Sequence, residues 1–426
     1  MADGDELPGY TARAAAPTGA GVYRTEHKYS LETKGRPWLF IFINSRAQSA
    51  ASLPYFVQAD TIAGRVEVDI EKAESVKTIS VAILAGVTVV GQEEQVFLNL
   101  NHDLWPSAND KSGKLAKGKH SWPFTFTLPA KVSPLDAKGL VIEAPPSFTE
   151  RASPAYIDYR VVVNFKRGAF KMNQTLTTSF NYLPLTQAEP PSPLRLLAYK
   201  EGTELIGPEG DPAGWKVLQP IKFKGKLFDV KEVEVECTIA VATPLAFTIG
   251  TPIPLILTLK SEDEQALDTL ANPKAMRFHL VRTVAVGSDA MDDKAERRSN
   301  NFFPSGAGQG YFWPSTEGAK EAGKRTMRGE VEMKKGTKPS FHFPRFTVRY
   351  TLDLLPFSIT GFVPLGTESG KSLLSEPVKI LTRQVPGVTP RSYAPPGYEK
   401  EESDYNAAVG FLENGNQRFY HHHGFA

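Results

Sequence analysis

Apolar side chains recur at every second position through most of this chain, a period that a strand satisfies and a helix does not. Val66, Val68 and Ile70 alternate with Arg65, Glu67 and Asp69. The pattern continues in Ile79, Val81 and Ile83, in Phe124, Phe126 and Leu128, and in Val161, Val163 and Phe165. It returns in Leu255, Leu257 and Leu259, and in Val348, Tyr350, Leu352 and Leu354. Successive strand residues point to opposite faces, so each run buries one face and wets the other. The runs are β-branched and aromatic, with Gly, Pro, Asn and Asp between them, which predicts antiparallel sheets packed face to face. No long amphipathic helix fits the pattern. Short apolar clusters at 193–199 and 406–411 read as single helical turns.

Landmarks repeat at an offset of about 190 residues. Gly64-Arg65-Val66 opens a strand pair early in the chain, and Gly250-Thr251-Pro252 opens one later. Pro146-Ser147-Phe148 precedes the strand around Tyr159, and Pro339-Ser340-Phe341 precedes the strand around Tyr350. With 426 residues the chain exceeds one ordinary core, so two copies of one sandwich are expected. Six prolines between 183 and 215 read as the linker. The expected organisation is all-β: domains at 20–185 and 215–385, a linker at 186–214, and disordered termini at 1–19 and 386–426.

Two polar stretches read as long loops. The first, at 104–120, carries Lys111, Lys114, Lys117 and Lys119. The second, at 287–339, includes Lys324, Arg325, Arg328, Lys334 and Lys335. These cations are candidate contacts for anionic phospholipid headgroups, where each adds roughly 1 kcal/mol, or for phosphorylated cargo tails; the plain alternative is a solvated loop. Phe302, Phe303, Tyr311, Phe312 and Trp313 in the second stretch are expected to pin it to its domain. A net charge of +2 argues against a nucleic-acid partner.

Nothing in the sequence assembles a catalytic centre, a metal site or a cofactor site. Cys237, the single cysteine, sits in an alternating strand pattern and reads as a small buried apolar side chain. One cysteine allows no internal disulfide, which suits a reducing compartment. The histidines lack metal-ligand spacing, and His421, His422 and His423 have no carboxylate or thiolate cluster beside them. Gly306, Gly308 and Gly310 lack the strand–turn–helix context of a dinucleotide loop. A hydrolytic or carbohydrate-active sandwich enzyme is disfavoured by the lack of paired carboxylates and of a secretory leader pattern.

Two short words stand apart from this globular pattern. Pro395, Pro396, Gly397 and Tyr398 spell PPxY, and Leu7, Pro8, Gly9 and Tyr10 spell LPxY. Shuffling 33 Pro and 14 Tyr over 426 positions gives roughly 0.08 PPxY words per chain. Paired prolines favour the extended polyproline II form, which WW domains bind in an aromatic groove with a pocket for the tyrosine. A Pro-Gly turn is the plain alternative for the same residues.

The ordered landmarks resemble the arrestin-like superfamily, and the PY words point to its α-arrestin branch. The resemblance rests on residues 64–70, on Val76 to Val81, and on Gly118-Lys119-His120-Ser121-Trp122-Pro123-Phe124. It continues in Pro145-Pro146-Ser147-Phe148 leading into Tyr159-Arg160-Val161, and it covers about residues 20 to 385. It implies two arrestin-like, immunoglobulin-like β-sandwich domains and no catalysis. It also implies an adaptor that joins cytoplasmic regions of plasma-membrane transporters or receptors to a WW-domain HECT-type ubiquitin ligase. Ubiquitination and endocytosis of the cargo would follow, with the adaptor cytoplasmic and recruited to plasma membrane and endosomes, and ubiquitin itself a further candidate partner. The alternative is a signalling or endosomal-sorting scaffold of the same fold that does not use the PY words.

Overall fold

A computed structural model describes residues 25–105, 114–134, 139–151, 153–168, 171–295, 298, 300–315, 320–367, 371–396, 398 and 405. Strands dominate it, as the period-two pattern requires, and only two short α-helices occur among the described residues. One four-stranded antiparallel sheet has the order Thr25–Thr33, Arg36–Ser45, Thr61–Ile70, Gly118–Thr127. Lys34 and Gly35, with φ of 53° and 76°, turn the first hairpin tightly. Leu39, Ile41, Ile43, Ile62 and Val66 point inward from this sheet and are fully buried. A second sheet runs in the order Tyr55–Val57, Gln174–Leu183, Ala155–Arg167, Glu74–Val89, Gln95–Trp105. Trp38 of the first sheet meets Phe165 of the second edge-on at 5.1 Å, so their inner faces share a core.

The later half of the chain builds a twelve-stranded sheet. Its central strands lie in the order Leu374–Leu381, Arg345–Leu354, Phe278–Gly287, Phe302–Pro314, Lys324–Met333, Ile253–Lys260, Lys231–Ala242. Leu257, Leu259, Phe278, Leu280, Val331, Val348, Leu352 and Leu354 are fully buried along them. The chain divides into two compact units. One comprises residues 1–84, 99–129 and 160–182, and the other comprises 85–98, 130–159 and 183–426.

The sequence repeat has a physical counterpart within the second unit. Phe148 exchanges both backbone hydrogen bonds with Ile157, at 3.0 and 2.9 Å. Phe341 does the same with Val348, at 3.1 and 2.9 Å. Two residues further on, a buried tyrosine donates its hydroxyl back to the carbonyl three residues before the phenylalanine. Tyr159 donates to the Pro145 carbonyl at 2.7 Å, and Tyr350 to the Lys338 carbonyl at 2.6 Å. The Pro145 carbonyl is buried and the Lys338 carbonyl half-buried, and each tyrosine supplies a donor while filling core volume with its ring. Phe148 then packs edge-on against Phe346 at 4.9 Å and against Phe341 at 6.1 Å. At the rim of this cluster the Arg282 guanidinium donates to the Glu150 carboxylate at 2.9 Å.

Two expectations need correction. The stretch at 287–339 is not one long loop. It supplies two long strands of the large sheet, Phe302–Pro314 and Lys324–Met333. The glycines at 306, 308 and 310 and the many charges hide its alternation, and a register shift beside Val281 breaks the period as well. The proline-rich linker also contains a nine-residue helix, Pro193–Glu201, where a single turn was expected. Ser192 caps its N-terminus by accepting from the Arg195 amide at 3.2 Å. Gly202, at φ 77°, ends it in the left-handed region. The other helix, Glu264–Leu270, carries no signal strong enough to predict it.

That second helix accounts for a buried cation. Arg325 is 6% exposed and donates to Asp268 at 2.9 Å and to Glu264 at 2.6 Å. The Gly323 amide and then Arg325 hold the Glu264 carboxyl below its ordinary value, and Arg325 does the same for Asp268. Folded values lie below unfolded ones, so this stabilisation is present above the ordinary carboxylate range and is lost as pH falls through the folded values. Urea unfolding of Arg325→Met is therefore expected to show a lower midpoint than wild type at pH 7. The difference should shrink as pH falls below about 4; a gap constant with pH would contradict the ion-pair account. Tyr159→Phe and Tyr350→Phe are each expected to cost about 1 kcal/mol, and Phe148→Ala about 3–5 kcal/mol, in the same measurement.

Candidate partner-docking segment

The PPxY word lies beside the large sheet. Upstream of it, Glu330 of the Lys324–Met333 strand is 4% exposed, so its carboxylate must be satisfied by protein donors. The Ser392 hydroxyl donates to one of its oxygens, and the Tyr393 amide donates to the other at 3.0 Å. The Tyr393 ring stacks on Tyr199 of the Pro193–Glu201 helix, 6.2 Å between centroids. Burial raises the hydroxyl pKa of Tyr393, and pushes that of Tyr199 up to about 12.

The word itself forms a turn. Pro395 and Pro396 are exposed, and the Tyr398 amide donates to the Pro395 carbonyl at 3.0 Å. Tyr398 then reaches down to the Phe302–Pro314 strand. Its hydroxyl donates to the Phe312 carbonyl at 2.6 Å, and its ring meets Trp313 at 5.9 Å and 65°. Gly397 lies outside the described residues.

Downstream, Tyr405 makes a further attachment. It is 7% exposed and forms an apolar cluster with Val281 and Leu355, both 2% exposed. Its ring lies 5.5 Å from His279, and burial pushes its hydroxyl up to about 12. The seat depends on a glycine. A Cβ on Gly306 would stand 2.9 Å from the Tyr405 Cβ, closer than side-chain carbons approach. Tyr405 also walls an open cavity of about 760 Å³ that Arg349, Lys371, Lys379 and His342 line.

A free tail from residue 386 onward is therefore not what the described residues form. Tyr393, Tyr398 and Tyr405 are each seated against the fold without any apolar period. Isolated aromatic anchors leave no repeating signature, which is why the sequence reads as disordered there. Leu7, Pro8, Gly9 and Tyr10 lie outside the described residues, as does the cluster at 406–411.

The candidate cations separate into two groups. Lys114, Lys117, Lys119, Lys334 and Lys335 are exposed. Arg325 is buried between two carboxylates, as described above. Lys324 lies 3.3 Å from Glu321. Arg328 donates to the Leu205 carbonyl at 2.7 Å and lies 3.6 Å from Glu204. Arg325 and Arg328 are committed to the fold and Lys324 to a surface ion pair, and a charge count along the sequence does not separate these three from the others. Lys111 lies outside the described residues. Cys237 is 1% exposed and burial raises its thiol pKa, so it is a packing residue.

Among the described residues no helix is long and apolar enough to cross a membrane. Comparison with curated proteins finds no match. Comparison with family models gives one finding: residues 88–188 match the arrestin (or S-antigen) N-terminal domain. That span contains the Phe148 bridge and the Tyr159 tie, which the chain repeats at Phe341 and Tyr350. Over those residues the chain is similar to the arrestin N-terminal domain, and its nearly all-β architecture is in keeping with an arrestin-like fold.

Proposed function

We propose that this arrestin-like protein is a non-catalytic trafficking adaptor of the α-arrestin kind. It joins cytoplasmic regions of plasma-membrane transporters or receptors to a WW-domain HECT-type ubiquitin ligase. The observation that carries the reading is the PPxY word in an arrestin-like chain, with Pro395 and Pro396 exposed. Those prolines fit an aromatic groove, and Tyr398 fits the adjoining pocket. The second candidate word, at Leu7, Pro8, Gly9 and Tyr10, would add avidity if both engage one ligase with several WW domains. Ubiquitin is transferred by the ligase and not by this chain. The adaptor acts from the cytoplasm at plasma membrane and endosomes, where exposed Lys114, Lys117, Lys119, Lys334 and Lys335 meet anionic headgroups.

One observation favours a second reading, a signalling or endosomal-sorting scaffold that leaves the PY words unused. Tyr398 is already engaged by Phe312 and Trp313 of the same chain.

A single PPxY contact is small, with Kd on the order of tens of micromolar. Tyr398→Ala is expected to lower ligase capture at least ~10-fold in a pull-down, and Tyr10→Ala to lower it less. Capture unchanged by Tyr398→Ala would support the scaffold reading. Sedimentation with phosphatidylserine vesicles is expected to fall with rising salt and on replacing Lys334 and Lys335 by Gln; salt-independent sedimentation would remove the lipid contact.

A further inference from the structure

The PPxY word has two incompatible uses for one side chain. We infer that the contacts of Ser392, Tyr393, Tyr398 and Tyr405 act as a strap that holds the word closed on its own sheet, so that a WW domain binds only after the strap lifts. The inference rests on the adaptor reading for its partner, and on contacts within this chain for the closed state.

Backbone geometry gives the first argument. A polyproline II ligand has no internal hydrogen bonds. Here the Tyr398 amide donates to the Pro395 carbonyl at 3.0 Å, which closes the word into a turn. The closed word and the groove-bound word therefore differ in conformation and cannot coexist.

The side chain gives the second argument. A WW pocket takes the tyrosine ring, yet that ring lies on Trp313 and its hydroxyl is committed to the Phe312 carbonyl. Exposed Pro395 and Pro396 do not rescue recognition, because the tyrosine pocket stays unfilled.

The attachments on either side give the third. Upstream, the buried Glu330 carboxylate takes donors from Ser392 and Tyr393. Releasing that end strands a desolvated charge until water reaches it. Downstream, Tyr405 sits over Gly306 with Val281 and Leu355. A word fixed at both ends is lifted only by breaking at least one attachment. The apparent affinity is then the intrinsic one reduced by the lifted fraction.

Calorimetric titration with a PPxY-binding WW domain tests this, using a synthetic peptide of residues 386–405, the full chain, and the full-chain variants Tyr405→Ala and Gly306→Ala. Neither variant alters the word itself. The strap predicts that the full chain binds at least ~10-fold more weakly than the peptide. Both variants should recover most of that difference, Tyr405→Ala by emptying the seat and Gly306→Ala by filling it. Equal affinity of peptide and wild-type chain would overturn the strap. A peptide that does not bind would instead overturn the adaptor reading. The strap then stands or falls on chymotryptic cleavage after Tyr398, which needs no partner. Cleavage should be slower in the wild-type chain than in the peptide and at least ~10-fold faster in both variants than in wild type; wild-type cleavage at the peptide rate would overturn the strap.

Discussion

A tyrosine hydroxyl donating to a backbone carbonyl ties this chain back on itself at three places among the described residues. Tyr159 ties Pro145, Tyr350 ties Lys338, and Tyr398 ties Phe312. Each bond contributes only about 1 kcal/mol net, so its setting decides what it does. Tyr159 and Tyr350 are 1% and 2% exposed, so their rings are locked inside cores. They open only when the surrounding fold opens. Tyr398 is half-buried at a surface, where water can replace the carbonyl it leaves. The same chemistry is structural in two places and reversible in the third, which local differences in opening free energy permit.

The division between legible and hidden features follows from periodicity. Strands with clean alternation, such as those holding Val66, Val161, Leu257 and Leu352, are readable because one face is buried throughout. The Pro-Ser-Phe landmarks are readable as a repeat, and the structure adds what the sequence cannot: a bridge and a tyrosine tie in each copy. The strands at Phe302–Pro314 and Lys324–Met333 are hidden. Their glycines remove side chains from the pattern, and Arg325 and Glu330 place charges at buried positions. A buried charge is intelligible only through its partner, and those partners, Glu264, Asp268, Ser392 and Tyr393, are distant in sequence.

The candidate docking segment shows the same limit. Its motif is legible because four consecutive residues spell it without reference to the fold. Its closed state is not, because three isolated tyrosines carry no period and their seats are formed by other strands. Gly306 illustrates this well. In sequence it belongs to a glycine run that vaguely suggests a nucleotide loop; in the fold it makes room for Tyr405.

Amide hydrogen exchange of residues 392–398 in the full chain, compared with a free peptide of the same sequence, tests the closed state most directly. The Tyr393 and Tyr398 amides donate to Glu330 and to Pro395, so the account predicts exchange slowed at least ~10-fold relative to the peptide. Exchange of both amides at the peptide rate would contradict it.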